Sequence, residues 1–327
     1  MPNFQLTSDG IVEGSRVKGL DIRTDGIRLR GIRLQGYADP DAHLQSEIYA
    51  LELWRRIVEV YSRTAITNPD DKLIALSGMA RWMAHRIGTP DDPAPYVAGL
   101  WRTHLASQLL WKIEPVYRAI DSVFVHASTA PDGYRAPSFS WAAVDADKGH
   151  GITYAEVTDR DLFIEVEDVS ITPTSTANEY GMISTGHIYL RGKLRKAALS
   201  PKPKGRFGWK LVDREELDLE EHTNVYLDCP ARESNSIFGP DAGIFVLPAA
   251  KGERTALMES KYTICLLLQL VKRHESGPAY KRIGLTKLSP WADSGTADKI
   301  LDVFQSDIDM PHQGYDPETG MHRILII

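Results

Sequence analysis

The spacing of apolar residues changes once along this chain, and that change constrains the fold more than any other feature. From residue 41 to 111 apolar positions recur every three or four residues; from about residue 115 they recur every second residue. The first period belongs to helices and the second to half-buried strands. A few helices followed by a run of strands with turn residues between them is an α+β arrangement, the strands forming a mostly antiparallel sandwich or barrel.

In the first part, Asp39-Pro40 offers an N-cap and a proline at the first helical position. Leu44, Ile48, Leu51, Trp54, Val58 and Tyr61 then follow at helical spacing. "NPDD" (68–71) breaks that helix and caps a second, carrying Leu73, Leu76, Met79, Ala80 and Met83. A proline-rich linker, "GTPDDPAP" (88–95), precedes a third helical pattern over 96–111 with Val97, Leu100, Trp101, Leu105 and Leu109 on one face. Before all of these, "GIRLRGIRLQGY" (26–37) and its neighbours read as short strands. In the second part, 161–171, 187–195, 224–229, 243–248, 262–271, 279–288 and 322–327 alternate as strands. The division falls at 1–114 and 115–327, the two parts expected to form one compact unit.

Composition narrows the function classes. A net charge of −6 argues against a nucleic-acid backbone as the main partner. The most basic stretch, Lys193 to Lys210, holds Pro201, Pro203 and Gly205 and reads as a solvated loop. Cys229 and Cys265 sit in apolar strand-like runs and are expected to be buried thiols, which suits a reducing, cytoplasmic setting. No basic segment followed by an apolar core opens the sequence, and the longest apolar run, 262–271, is too short to span a bilayer. There is no phosphate loop, dinucleotide fingerprint, nucleophile elbow or zinc-ligand spacing, so no cofactor and no metal are expected.

"YRAPSFSWAAVD" (134–145) is the most unusual stretch. As a strand it would set Phe139 and Trp141 side by side on one face, with Ser138 and Ser140 on the other. Together with Trp101, Trp111, Tyr134 and Tyr154 these aromatics form either the seam where 96–111 packs on the sheet or an apolar pocket. The polar handles beside it are Arg135, Ser138, Ser140, Asp145, His104 and Gln108. In the pocket reading, Trp101, Trp111, Tyr134, Phe139, Trp141 and Tyr154 bind an apolar small molecule, and Arg135, Gln108 and His104 are the candidate catalytic groups. Arg135 can instead anchor its own turn through backbone carbonyls.

Taken in order, "LWRRIVEVYSRTAIT" (53–67), "DKLIALSGMA" (71–80), "YVAGLWRTHLASQLLW" (96–111), "YRAPSFSWAAVD" (134–145), "GHIYLRGKL" (186–194) and "YKRIGLTKL" (280–288) resemble the C-terminal region of fungal heterokaryon-incompatibility (HET) domain proteins. The family's Pro-Ser-Trp-Ser-Trp-Ala run has Phe139 in place of its first tryptophan. In the family a cell-death domain precedes this region; here residues 1–49 stand in its place and do not resemble it, so an incompatibility function is not expected. HET-like proteins also occur in fungal natural-product gene clusters, including an intramolecular Diels–Alderase of diterpenoid biosynthesis. The resemblance therefore implies a cofactor-free cyclase of terpenoid or polyketide biosynthesis, with a recognition or regulatory module as the alternative. The two differ in what lies between 96–111 and 137–143. A closed apolar cavity of about a few hundred Å³ belongs to the enzyme. A solid core there, with exposed aromatics elsewhere, belongs to the module.

Overall fold

The computed structural model describes residues 44–327 except 65, 127, 147–149, 155–159, 213–223, 231–235, 256–257, 275–276 and 303–307. The strands expected in the first forty residues, and the Asp39-Pro40 cap, lie outside the described residues.

Two long helices open the described chain. Helix α1 (Ser46–Ser62) buries Leu51, Trp54 and Val58, and Arg55 bridges Glu52 and Glu59 at 2.8 and 3.0 Å along its flank. Asn68 accepts from the Asp70 amide and caps a single 3-10 turn over Pro69–Asp71. That turn leads into α2 (Lys72–Ile87), which buries Leu73, Leu76, Ala80 and Met83. The Gly88 amide closes this helix on the Ala84 carbonyl.

The third helix expected over 96–111 is not formed. A hairpin of β1 (Tyr96–Val97) and β2 (Leu100–Trp101) takes its place, followed by one helical turn, α3 (Leu105–Gln108). The turn residues Ala98 and Gly99 have φ of +51° and +94°, and His104 has φ of +52°. Positive φ at both turn residues is what a two-residue type I′ hairpin requires, and no helix can run through it. The helical spacing misleads because nearly all of 96–111 is buried, with only Tyr96, Arg102, Thr103 and His104 half-buried, so its apolar residues do not mark one face.

Short pairs follow: β3 (Lys112–Ile113) with β8 (Ile152–Thr153), β4 (Val116–Arg118) with β5 (Val123–Val125), and β6 (Ser128–Thr129) with β7 (Asp145–Ala146). The large sheet then runs through β9 (Glu165–Pro173), β10 (Ile183–Gly192), β11 (Arg195–Lys202), β12 (Arg206–Leu211), β13 (Val225–Leu227), β14 (Ile244–Thr255), β15 (Met258–His274), β16 (Gly277–Leu288), β17 (Gly314–Asp316) and β18 (Met321–Ile326). Its order is β12-β11-β14-β15-β16-β18-β10-β9, with β13 on β16 and β17 on β18. Among the described residues, these strands pair antiparallel except β16 with β18. The fold is α+β with mostly antiparallel strands, and the path from β12 to β9 does not close into a barrel. The basic stretch 193–210, expected as a loop, is the β11–β12 hairpin; Leu199 and Trp209 pair across it and are buried, which holds it in the sheet.

One face of the sheet shares a core with the helices, drawing Leu51, Trp54, Met83, Trp101, Trp141, Ile188, Leu266 and Tyr280 into one cluster. That cluster spans both sides of residue 114. The other face buries Trp209, Val246, Cys265 and Ile283 beneath α4 (Ser294–Leu301). Among the described residues no helix is long and apolar enough to cross a membrane.

Candidate functional site

Residues 134–144 are not a strand, and Asp145 opens β7. They turn at 137–140 and form a 3-10 turn over Trp141–Ala143, which Ser140 caps by accepting from the Ala142 amide. The Ser140 hydroxyl also donates to the Ala98 carbonyl. Phe139 and Trp141 therefore do not share the face of a strand, although both are buried in the same core. Trp141 donates its indole N–H to the Gly99 carbonyl at 2.9 Å, and Trp54 donates to the same oxygen at 3.0 Å. Trp111 donates to the Phe139 carbonyl at 2.9 Å. A Cβ on Gly99 would lie 2.6 Å from Trp141 Nε1, so the hairpin and the 3-10 turn are in direct contact. At Gly99 there is no room for a ligand between the hairpin and the 3-10 turn, whereas Trp111, at the end of 96–111, shares a cavity wall with Ser138 and Ala143.

This packing accounts for several of the expected site residues. Trp101, Phe139 and Trp141 are buried in the shared core and border neither of the two cavities described below. Gln108 is committed to its own loop: its Oε1 accepts from the Trp101 amide at 3.0 Å, and its Nε2 donates to the carbonyls of Trp101 and Thr103. His104 occupies the N-cap position of α3 without a side-chain capping bond; its ring faces Glu47 across 4.0 Å and it lines neither cavity. Tyr154 is buried behind Arg282, with its hydroxyl unpartnered and raised well above the ordinary phenol range by burial.

Arg135 donates to the Ala142 carbonyl at 2.7 Å, to the Pro69 carbonyl at 2.9 Å and to Asp145 at 2.7 Å. Lys72 reaches the same carboxylate at 2.9 Å. Burial pushes the Asp145 carboxyl up, but the hydrogen bonds and charges of Arg135 and Lys72 outweigh it and hold it below the usual carboxylate range. Burial likewise lowers the Lys72 ammonium more than Asp145 raises it. Arg135 thus clamps residues 142–145 to the start of α2.

Three of the expected residues do come together. Tyr134 and Arg135 border two cavities that share the wall formed by residues 130–135. The larger, about 600 Å³, is edged by Asp70, Asp132 and Asp145. The smaller, about 310 Å³, is mainly apolar and includes Trp111, Ala136, Val144 and Ile283 in its wall. Besides Tyr134 and Arg135, its polar groups are Arg282, Asp228, Cys229, Lys281 and Ser138, of which Ser138 is a polar handle in the sequence and Cys229 is expected there only as a buried thiol. Tyr134 is 55% exposed at the rim, and burial of its hydroxyl pushes it up to about 12.

Arg282 is the unusual group. It is 4% exposed, and its guanidinium lies 3.4 Å over the Trp111 ring and 3.4 Å from Asp228 Oδ1. Its Nη2 donates to the Trp111 carbonyl, while Nε and Nη1 are buried with no hydrogen-bond partner. Burial pulls it down to about 10 although Asp228, Tyr154 and Cys229 oppose that shift, so it is cationic at neutral pH. A bulge aims it: between the Leu268–Arg282 and Leu267–Gly284 pairs of β15 and β16, Ile283 is the extra residue. Bulges of this kind re-aim a side chain and gather beside functional sites. Ser138 ties the cavity wall to the same strand, accepting from the Arg282 amide at 2.9 Å and donating to the Ile327 carbonyl.

The sequence signal for Arg282 was weak. "YKRIG" carries apolar residues in both phases, so alternation does not say which of Lys281 and Arg282 faces the core. Among the described residues no group of three or more His, Cys, Asp or Glu is arranged to hold a metal ion. Compared with protein-family models, with curated proteins and with solved structures, the chain gives no match.

Proposed function

We propose that this chain binds an apolar small molecule bearing a carbonyl or carboxylate oxygen in the cavity beneath residues 130–136, and promotes its cyclisation by holding it in a reactive fold. The observation that carries this reading is Arg282, which lines a mainly apolar cavity of about 310 Å³ and whose buried guanidinium has two unpartnered N–H groups. A buried donor left unpaired costs about 1–3 kcal/mol, so a ligand oxygen accepting from Nε and Nη1 is favoured there. The apolar wall takes the rest of the molecule. Fixed cationic donors on a conjugated carbonyl withdraw electron density from it, and confinement removes entropy from the barrier. Those are the two aids that a cyclisation of Diels–Alder type can use. The motif resemblance to HET-like proteins fits this role, and a cytoplasmic terpenoid or polyketide pathway is its proposed setting.

A second reading is favoured by one observation. The outer face of α2 exposes Ile74, Met79 and Trp82, with Arg86 stacked 3.8 Å over the Trp82 ring. Those are features of a recognition or regulatory module that binds another protein.

Metabolite profiles of a host making polyene and terpenoid precursors separate the two. With the wild-type chain a cyclised product is expected, and with Arg282→Gln it is expected to vanish. Unchanged profiles across a broad precursor set, from a well-folded wild-type chain, would favour the module.

A further inference from the structure

We infer that Cys229 is a nucleophile toward an α,β-unsaturated carbonyl compound bound in the smaller cavity, with Arg282 holding the carbonyl oxygen. The inference rests on reading that cavity as the ligand site and adds a further class of ligand, a conjugated carbonyl compound that the thiol captures instead of its being cyclised. Cys229 and Arg282 line the same cavity, and Cys229 directly follows Asp228, which is paired with Arg282 at 3.4 Å. The thiol is outside any disulfide, and the residue is 7% exposed, so the cavity is its approach. Arg282 and Lys72 both lie within Coulombic reach of it. The two unpartnered guanidinium N–H groups supply what a conjugate addition needs at the other end of the acceptor, hydrogen bonds to an oxygen on which negative charge develops.

The step balances without an oxidant or reductant. The thiol proton leaves to water, and the sulfur forms a bond to the β-carbon of the ligand. The carbon–carbon π pair shifts to give an enolate whose oxygen accepts from Arg282 Nε and Nη1. Water then returns a proton to the α-carbon. The product is the net addition of S–H across the double bond. Cys265 is an internal control: it is fully buried in the second core, and burial pushes its thiol up.

The test uses 4-phenylbut-3-en-2-one, a conjugated ketone, and 4-phenylbutan-2-one, its saturated counterpart. Folded protein is incubated with each, then read by intact mass, by peptide mapping and by melting temperature. One adduct on Cys229 and none on Cys265 is expected, absent in Cys229→Ser. The adduct should form about tenfold more slowly or worse in Arg282→Lys, which keeps the charge but loses the planar pair of donors. Ala130→Trp, at a half-buried position on the cavity wall, should block it as well. A saturated ketone that raises the melting temperature while the enone leaves Cys229 unmodified overturns the covalent step and spares the binding site. Equal labelling of both cysteines, or an unchanged rate in Ala130→Trp, shows reaction through unfolding and overturns the inference. If neither compound binds nor reacts, the reading of the cavity itself fails.

Discussion

The Gly99 carbonyl accepts from two indoles, Trp54 and Trp141, and its residue is left-handed with no room for a side chain. Gly99→Ala adds the cost of positive φ to a clash with Trp141. Urea unfolding should show a loss of about 2 kcal/mol or more, with the melting temperature falling in step. Arg135 is a different case: a buried cation whose partners are the chain's own carbonyls and Asp145. Arg135→Ala should cost about 3 kcal/mol, because it strands buried acceptors and weakens the clamp on Asp145. The pH dependence follows from that carboxylate. Asp145 has a folded pKa below its unfolded value. Its contribution is therefore fully present above the ordinary carboxylate range and lost as pH falls through the folded value. Acid titrations of stability should thus show a smaller drop in Arg135→Ala than in wild type; equal drops would mean that Asp145 owes nothing to Arg135.

At the scale of elements, long periodic segments were legible and short buried ones were not. The α1 and α2 patterns, and the strands from 187 to 327, follow from one-sided burial, which writes its period into the sequence. The hairpin at 96–101 and the 3-10 turn at 141–143 are almost wholly buried, so their apolar residues carry no phase information. The aromatic stretch stands out in the sequence, but its indole cross-braces the core, and the open space lies on the other side of the segment, toward β16. Ser138 marks that side. Its hydroxyl links the Arg282 amide to the Ile327 carbonyl, so it joins the cavity wall to two strands of the sheet. Ser138→Ala should lower stability by about 1–2 kcal/mol, measured by thermal and urea unfolding. Hydrogen exchange at residues 134–140 should accelerate in the same variant. A loss confined to global stability, with those amides unchanged, would mean that the link does not hold the wall.

At the scale of the whole molecule, helices and sheet enclose one core, and the candidate site sits where the segment after β6 crosses that sheet. Its chief residue was hidden from sequence reasoning because a bulge, which only the paired strand reveals, decides where Arg282 points. The most direct test of the site is calorimetric titration of 4-phenylbutan-2-one into wild-type protein, Arg282→Gln and Ala130→Trp, repeated across pH. Binding to the wild type should be nearly flat between about pH 6 and 9, where a guanidinium keeps its charge. It should weaken as pH rises through about 10, the value to which burial lowers Arg282. Affinity should drop about tenfold or more in Arg282→Gln, and Ala130→Trp should remove binding while its circular dichroism matches wild type. Unchanged affinity in both variants, or no binding to the folded wild-type chain by this ketone or by 4-phenylbutanoate, would contradict the account.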